Sequence, residues 1–204
     1  MKLILVRHGE TDWNRDNRVQ GHSDVELNET GREQARRLAL KLKEEAVTAI
    51  YSSPLRRASD TASAIADHHR VQVQTEPDLA ELDVGDMDGL TFEQMRSRYG
   101  DILREWAKDA GPVKMPNGEC LQELQERAWT AIQRILQEHP QGTVIVVSHN
   151  FAILTIICRA INFNLSDFRR LALSVASMSV IDLTERGARL VLLNDTCHLK
   201  EAVA

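Results

Sequence analysis

Leu3-Ile4-Leu5-Val6-Arg7-His8-Gly9-Glu10-Thr11 is the stretch on which the fold turns. Four apolar residues in a row read as a buried strand, and the run stops at a cation, an imidazole and a glycine. In open α/β sheets ligands gather outside the carboxyl ends of the strands, so a strand that delivers Arg7 and His8 there is placed for anion chemistry. An arginine grips phosphate through paired N–H donors, and a neutral imidazole is a nucleophile toward phosphorus. Gly9 lets the backbone come close to a ligand. Alone, the same residues would also suit a solvated turn, so the reading depends on the rest of the chain.

Working outward, strand and helix signals alternate. The opening strand, Lys2–Val6, is followed by a polar loop to about Asn28. Apolar spacing then predicts a helix from Arg32 to Glu45, a strand Val47–Tyr51, a helix Arg56–His68 and a short strand Val71–Gln74. Two helices are expected around Phe92–Tyr99 and Ile102–Ala107, before a loop with Gly111-Pro112 and Pro116-Asn117-Gly118. A long helix Glu119–Glu138 leads to the purely apolar strand Thr143–Val147, and an apolar helix runs from Asn150 to Ile161. Val180–Leu183 and Leu190–Leu193 form a hairpin around Glu185-Arg186-Gly187. The expected fold class is α/β: a three-layer sandwich with a largely parallel central sheet flanked by helices and a C-terminal hairpin at the edge. With no repeat or linker, residues 1–204 read as a single domain. The segment from Asp195 has two open placements, over the site or packed elsewhere.

Composition narrows the classes. A net charge of −5 argues against a broad nucleic-acid-binding surface, so an anion site must be built from local cations. Cys120, Cys158 and Cys197 are odd in number and widely spaced, which argues against a disulfide framework or zinc site and fits a reducing cytoplasm. The longest apolar stretch, Phe151 to Cys158, is far short of the roughly 20 residues that span a bilayer. No signal peptide or membrane association is expected, and the assembly state is open, a homodimer included.

Three strands end alike. The first delivers Arg7 and His8, the second Ser52-Ser53 with Arg56 and Arg57 opening the next helix, and the Thr143 strand delivers Ser148 and His149. In a parallel sheet these ends share one rim, and the helix starts at Leu55 and Asn150 would add dipoles that favour an anion. Two imidazoles and clustered arginines suit phosphoryl transfer, where catalysis is mostly positioning and charge stabilisation. The leaving alkoxide needs a proton from a carboxylic acid. Glu81, Asp83, Asp86 and Asp88 crowd one loop, and spacing does not choose among them.

At this point the chain resembles the histidine phosphatase (phosphoglycerate mutase-like) superfamily. The resemblance rests on Leu5 to Asn14, Gln20-Gly21, Leu27 to Gly31, Ser53-Pro54-Leu55-Arg56-Arg57-Ala58, Glu81 to Gly85 and Val147-Ser148-His149, in the family's order. It implies that His8 becomes the phosphohistidine, that Arg7 and Arg57 clamp the phosphoryl oxygens and that His149 stabilises the transferring group. Glu81 would be the proton donor and later the base for water. Asn14 would hydrogen-bond phosphate, with Gln20 and Gly21 nearby. The resemblance implies no cofactor and no metal, and a small phosphorylated metabolite as partner.

Asn150 stands where the family commonly has glycine, Cys120 where serine is usual, and Met87-Asp88-Gly89 where an aromatic-Glu-Gly is typical. Asp88, Cys120 and Asn150 are therefore expected to help choose the substrate. Mutases of the family resemble longer chains with a basic insert. Here Leu90 to Gly118 is compact, with its cations spread out, so the chain reads as a phosphatase rather than a cofactor-dependent phosphoglycerate mutase. Small broad-specificity phosphomonoesterases and α-ribazole phosphatases of cobalamin biosynthesis look most similar. A catalytically silent binding protein on the same fold would be expected to lose His8, Arg57 or Glu81, and all three are present.

Overall fold

A computed structural model describes residues 1–200 of the chain. The four apolar residues after Lys2 form the middle of β1 (Lys2–Arg7), and all are buried. The segment beyond it, expected as loop, contains a single helical turn, α1 (Asp12–Arg15). Thr11 and Asn14 cap that turn reciprocally, side chain to backbone in both directions. The next helix, α2 (Glu29–Leu42), starts three residues earlier than its apolar periodicity suggests. Asn28 accepts a hydrogen bond from the Gly31 amide at 2.8 Å and so sets the first turn upstream. A Cβ on Gly31 would collide with the Glu10 backbone, so this glycine lets α2 press directly on the loop that leaves β1.

β2 (Val47–Ser52), α3 (Arg56–Ala66) and the short β3 (Val73–Thr75) follow as expected. The two helices read from the sequence around residues 92–107 are present as the two arms of a kinked α4 (Phe92–Lys108). It is bent at Tyr99, whose φ of −129° and ψ of 29° are non-helical, just ahead of Gly100. α5 (Leu121–Glu138), β4 (Thr143–Ser148) and α6 (Asn150–Ala160) complete the alternation, and β5 (Met178–Thr184) and β6 (Gly187–Asp195) form the closing hairpin.

The six strands lie in the order β3-β2-β4-β1-β5-β6. β3, β2, β4 and β1 pair in parallel, while β5 is antiparallel to β1 and β6 to β5, which places the hairpin at one edge. Alternate residues of each strand face opposite sides, and each side has its own cover. Leu3, Leu5, Val144 and Val146 pack with Leu121, Leu124, Ile132, Ile153 and Ile157 of α5 and α6. Ile4, Val6, Ile50, Ile145 and Val147 pack with Leu38, Leu42, Ala62 and Ile65 of α2 and α3.

Register places the chemistry. Arg7 pairs with Ser148, and both Val6 and Ser52 pair with Val147, so the three strand ends are level on one rim. The turn after β6, Cys197–Leu199, lies against α2, with the Leu199 carbonyl accepting from Arg37 Nη1 at 3.3 Å. To residue 200 the terminal segment thus packs elsewhere than across that rim. Among the described residues, no helix is long and apolar enough to cross a membrane.

Candidate active site

His8 follows directly from β1 and is 3 % exposed. Its Nδ1 lies 2.7 Å from the Gly9 carbonyl, which only accepts, so Nδ1 carries the hydrogen and Nε2 keeps its lone pair. The His149 ring stands 5.1 Å away, centroid to centroid, tilted by 57°. His149 Nε2 shares a 2.7 Å hydrogen bond with Ser53 Oγ, which also accepts from the Leu55 amide at 3.3 Å. Burial pushes both imidazole pKa values well below the ordinary 6.5, and the Arg57 charge acts in the same direction. Both rings are neutral bases at pH 7.

The two arginines are tied by some donors and free at others. Arg7 Nη1 donates to the Leu173 carbonyl at 2.6 Å. Arg57, in the first turn of α3, donates from Nη1 to Ser23 O and from Nη2 to Gly21 O, each at 2.8 Å. The Nε atoms of both, together with His149 Nδ1, are buried and have no protein partner among the described residues. Unpaired buried donors are rare in folded proteins. Two such guanidinium donors and a pair of imidazoles 5.1 Å apart give this end of the sheet a polarity suited to an anion.

Glu81 is the loop carboxylate that the fold singles out. Its Oε1 accepts from the amides of Leu82 at 2.8 Å, Phe151 at 3.1 Å and Ala152 at 3.2 Å, and Oε2 also accepts from Phe151 at 3.2 Å. The N-terminus of α6, expected to face an anion directly, therefore holds this carboxylate instead. Burial raises the Glu81 pKa above its ordinary value, against the opposing pull of those amides and of Arg57 and Arg7. Asp83 turns away to cap the Gly85 amide at 2.9 Å, and Asp86 accepts from Asn117 at the surface.

Behind the acid stands Arg127 of α5. It donates to the carbonyls of Asp78, Ala80 and Glu81 at 2.7, 2.9 and 2.8 Å and pairs through two nitrogens with Glu119. Glu119 Oε1 in turn accepts from the Asp83 amide at 2.9 Å. One guanidinium thus fixes residues 78–83 as a unit.

A cavity of about 230 Å³ opens at the rim. Arg7, His8, Asn14, Gln20, Glu81 and Asn150 line it, as sequence reasoning anticipated, together with Arg18, Val19 and Phe151, which it missed. Arg57 and His149 are fully buried and lie off its wall. Asn14 spends its Oδ1 on the Thr11 cap at 3.1 Å, and Gln20 Nε2 donates to Thr11 Oγ1 at 2.7 Å.

Three expectations change. Gly21 does not face the cavity; its carbonyl is held by Arg57 and its amide by Asp88 Oδ1 at 2.9 Å. Asp88 does not line the cavity either, and its second oxygen takes the Ser23 amide at 2.8 Å. Asp88 and Arg57 grip the 21–23 loop from opposite sides. Cys120 is buried at the start of α5, where its amide donates to Glu123 Oε2 at 2.8 Å. Of the three positions expected to tune substrate, only Asn150 is on the wall.

Sequence reasoning had one available signal for Arg127. It falls three residues after Leu124 and four before Ala131, a charge inside the buried stripe of α5. Arg56, by contrast, is an exposed partner of Glu26, as a helix-start cation often is. Among the described residues no three His, Cys, Asp or Glu side chains gather as a metal site.

Comparison with known proteins agrees with this geometry. The model of the histidine phosphatase superfamily (branch 1) matches residues 3–196. Phosphoserine phosphatase 1 of Hydrogenobacter thermophilus is 37 % identical over 201 residues, covering 98 % of this chain and 95 % of that protein. The structure of YhfR from Bacillus stearothermophilus superposes with a TM-score of 0.92 at 28 % identity, covering 98 % of this chain and 99 % of that one. The α-ribazole phosphatase of Shigella flexneri does so with 0.88 at 27 %, covering 96 % of each chain. The chain belongs to the histidine phosphatase superfamily (branch 1), and it is a phosphatase.

Proposed function

We propose that the protein hydrolyses a small phosphomonoester through a phosphohistidine formed on His8. The observation that carries this reading is a pair of buried guanidinium donors without a protein partner among the described residues, Arg7 Nε and Arg57 Nε, beside two buried imidazoles of which His8 keeps its Nε2 lone pair. The Nε2 lone pair forms the N–P bond as the P–O ester bond breaks. Glu81, whose burial favours the protonated form, passes its proton to the departing alkoxide oxygen. The resulting carboxylate then takes a proton from water, the water oxygen attacks phosphorus, and the N–P bond breaks to return His8 and inorganic phosphate. Arg7, Arg57 and His149 answer the charge on the phosphoryl oxygens throughout. Asn14, Gln20 and Asn150 supply polar contacts at the cavity wall, and no step draws on a metal or cofactor.

Rapid quenching with a labelled phosphomonoester tests this. An acid-labile, alkali-stable phosphoenzyme is expected, absent in His8→Ala, with turnover unaffected by EDTA. An enzyme that turns over without labelling, or whose EDTA-abolished activity a divalent ion restores, would refute the proposal. Relatives of comparable likeness carry the names of phosphoserine and α-ribazole phosphatases, so family membership leaves the alcohol portion of the substrate open.

A further inference from the structure

The catalytic cavity has a neighbour. A second cavity of about 380 Å³ is walled by Val19, Leu82, Val84, Met87, Trp106 and Phe151. Val19 and Phe151 belong to both cavities, so the two meet across these side chains. The backbone amide of Phe151 holds the Glu81 carboxylate, and the same residue lines the second cavity. Glu81, on the wall of the first cavity, is thus held by a residue that lines both.

The wall around Phe151 is largely apolar. Trp106 meets Phe151 edge-on at 6.0 Å between centroids and Phe168 at 6.2 Å, and Phe151 meets Phe168 at 5.8 Å. Arg169 lies over Phe168 at 4.9 Å and donates to the Trp106 carbonyl at 2.6 Å, which ties this cation to the wall. No residue of α4 is fully buried, because part of its apolar face looks into this space instead of into the core.

Resting on the phosphohistidine reading above, we propose that this second cavity binds the alcohol portion of the substrate. The natural substrate class is then the phosphomonoesters of alcohols with a branched aliphatic or aromatic body. A compact zwitterionic alcohol such as serine would have to desolvate an ammonium and a carboxylate among apolar side chains, with Arg169 as the only charged group on that wall among the described residues.

The test compares kcat/KM for 3-phenylpropyl phosphate, propyl phosphate and phosphoserine, the first two having leaving alkoxides of similar basicity. Burial of the phenyl ring is expected to favour 3-phenylpropyl over propyl phosphate roughly 30-fold. Phosphoserine is expected to fall below propyl phosphate. Ala107→Trp, at an exposed position on the cavity's edge, should fill the space and cut the preference below threefold. Met95→Glu, which sets a charge in the wall, should do the same. Equal values for the two alkyl esters, a preference for phosphoserine, or a preference that survives both variants would overturn the assignment with the hydrolytic reading intact. Failure to turn over any ester, with no label on His8, would overturn that underlying reading and this one with it.

Discussion

Arg127→Met should be the most damaging change outside the groups that touch substrate. Methionine keeps most of the aliphatic packing and removes the guanidinium alone. Lost with it are the bonds to three carbonyls, Asp78, Ala80 and Glu81, and both links to Glu119. The pair is largely sequestered, with side chains 21 % and 16 % exposed, so its loss resembles the breaking of a buried ion pair. Such losses cost about 3–5 kcal/mol, and partial hydration of Glu119 lowers the expectation to about 2–4 kcal/mol. Against a typical total stability of about 5–15 kcal/mol this is a large fraction. The surface pair Arg36–Glu33, more exposed on both sides and screened by water, should contribute far less.

Urea unfolding of Arg127→Met, Glu119→Gln and the double variant would measure the cost. The double variant should be much less destabilised than the sum of the singles, because each single strands the other's partner. Activity adds a second readout. Since Arg127 anchors the backbone of the acid, kcat should fall about 10- to 100-fold for propyl phosphate, within the usual contribution of general acid catalysis. It should change less than threefold for p-nitrophenyl phosphate, whose leaving group departs with little help. A variant within 1 kcal/mol of wild type, or one that slows both esters equally, would refute the role assigned to this guanidinium.

Glu81→Gln removes the transferable proton while keeping an acceptor for the Phe151 and Ala152 amides. It should slow alkyl phosphates at least 100-fold more than p-nitrophenyl phosphate, and equal losses would show that the proton comes from elsewhere. Stability should depend on pH through the two buried imidazoles. Their folded pKa values lie below the ordinary 6.5, so above that pH they carry no penalty; below it the unfolded chain binds protons that the folded one refuses. Each can lower stability by up to about 1.4 kcal/mol per pH unit as pH falls from 6.5 toward the folded values. Glu81 acts with the opposite sign, since its raised pKa makes burial less costly once it is protonated. Urea midpoints at pH 7.5 and 5.5 should therefore fall with acidity, and less steeply in His149→Gln; identical slopes would contradict the neutral, buried state of His149.

Much of the site was legible because it lies at strand ends. The apolar runs of β1, β2 and β4 set both the strands and the points where they stop, and parallel pairing then brings Arg7, His8, Ser53 and His149 to one rim. Capping residues were as local in origin yet harder to read, as the α1 turn between Thr11 and Arg15 shows. The choice of Glu81 over Asp83, Asp86 and Asp88 came from the family resemblance alone. In the fold it is explained by the amides at the start of α6, 70 residues further along the chain.

By itself, then, the sequence determined the alternation of layers, the points where the strands stop and the arginine and histidine that follow β1, because periodicity and apolar run length are local properties. Only the tertiary structure decided that Gly21 and Asp88 build the cradle of Arg57, that Arg127 locks the acid loop, and that the apolar face of α4 walls a second cavity beside the first. These roles are set by side chains bonding to backbone groups 36 to 67 residues away, and by two elements failing to close upon each other. Such distances leave no mark in local spacing, and they become definite only when the packed sheet holds every loop in place.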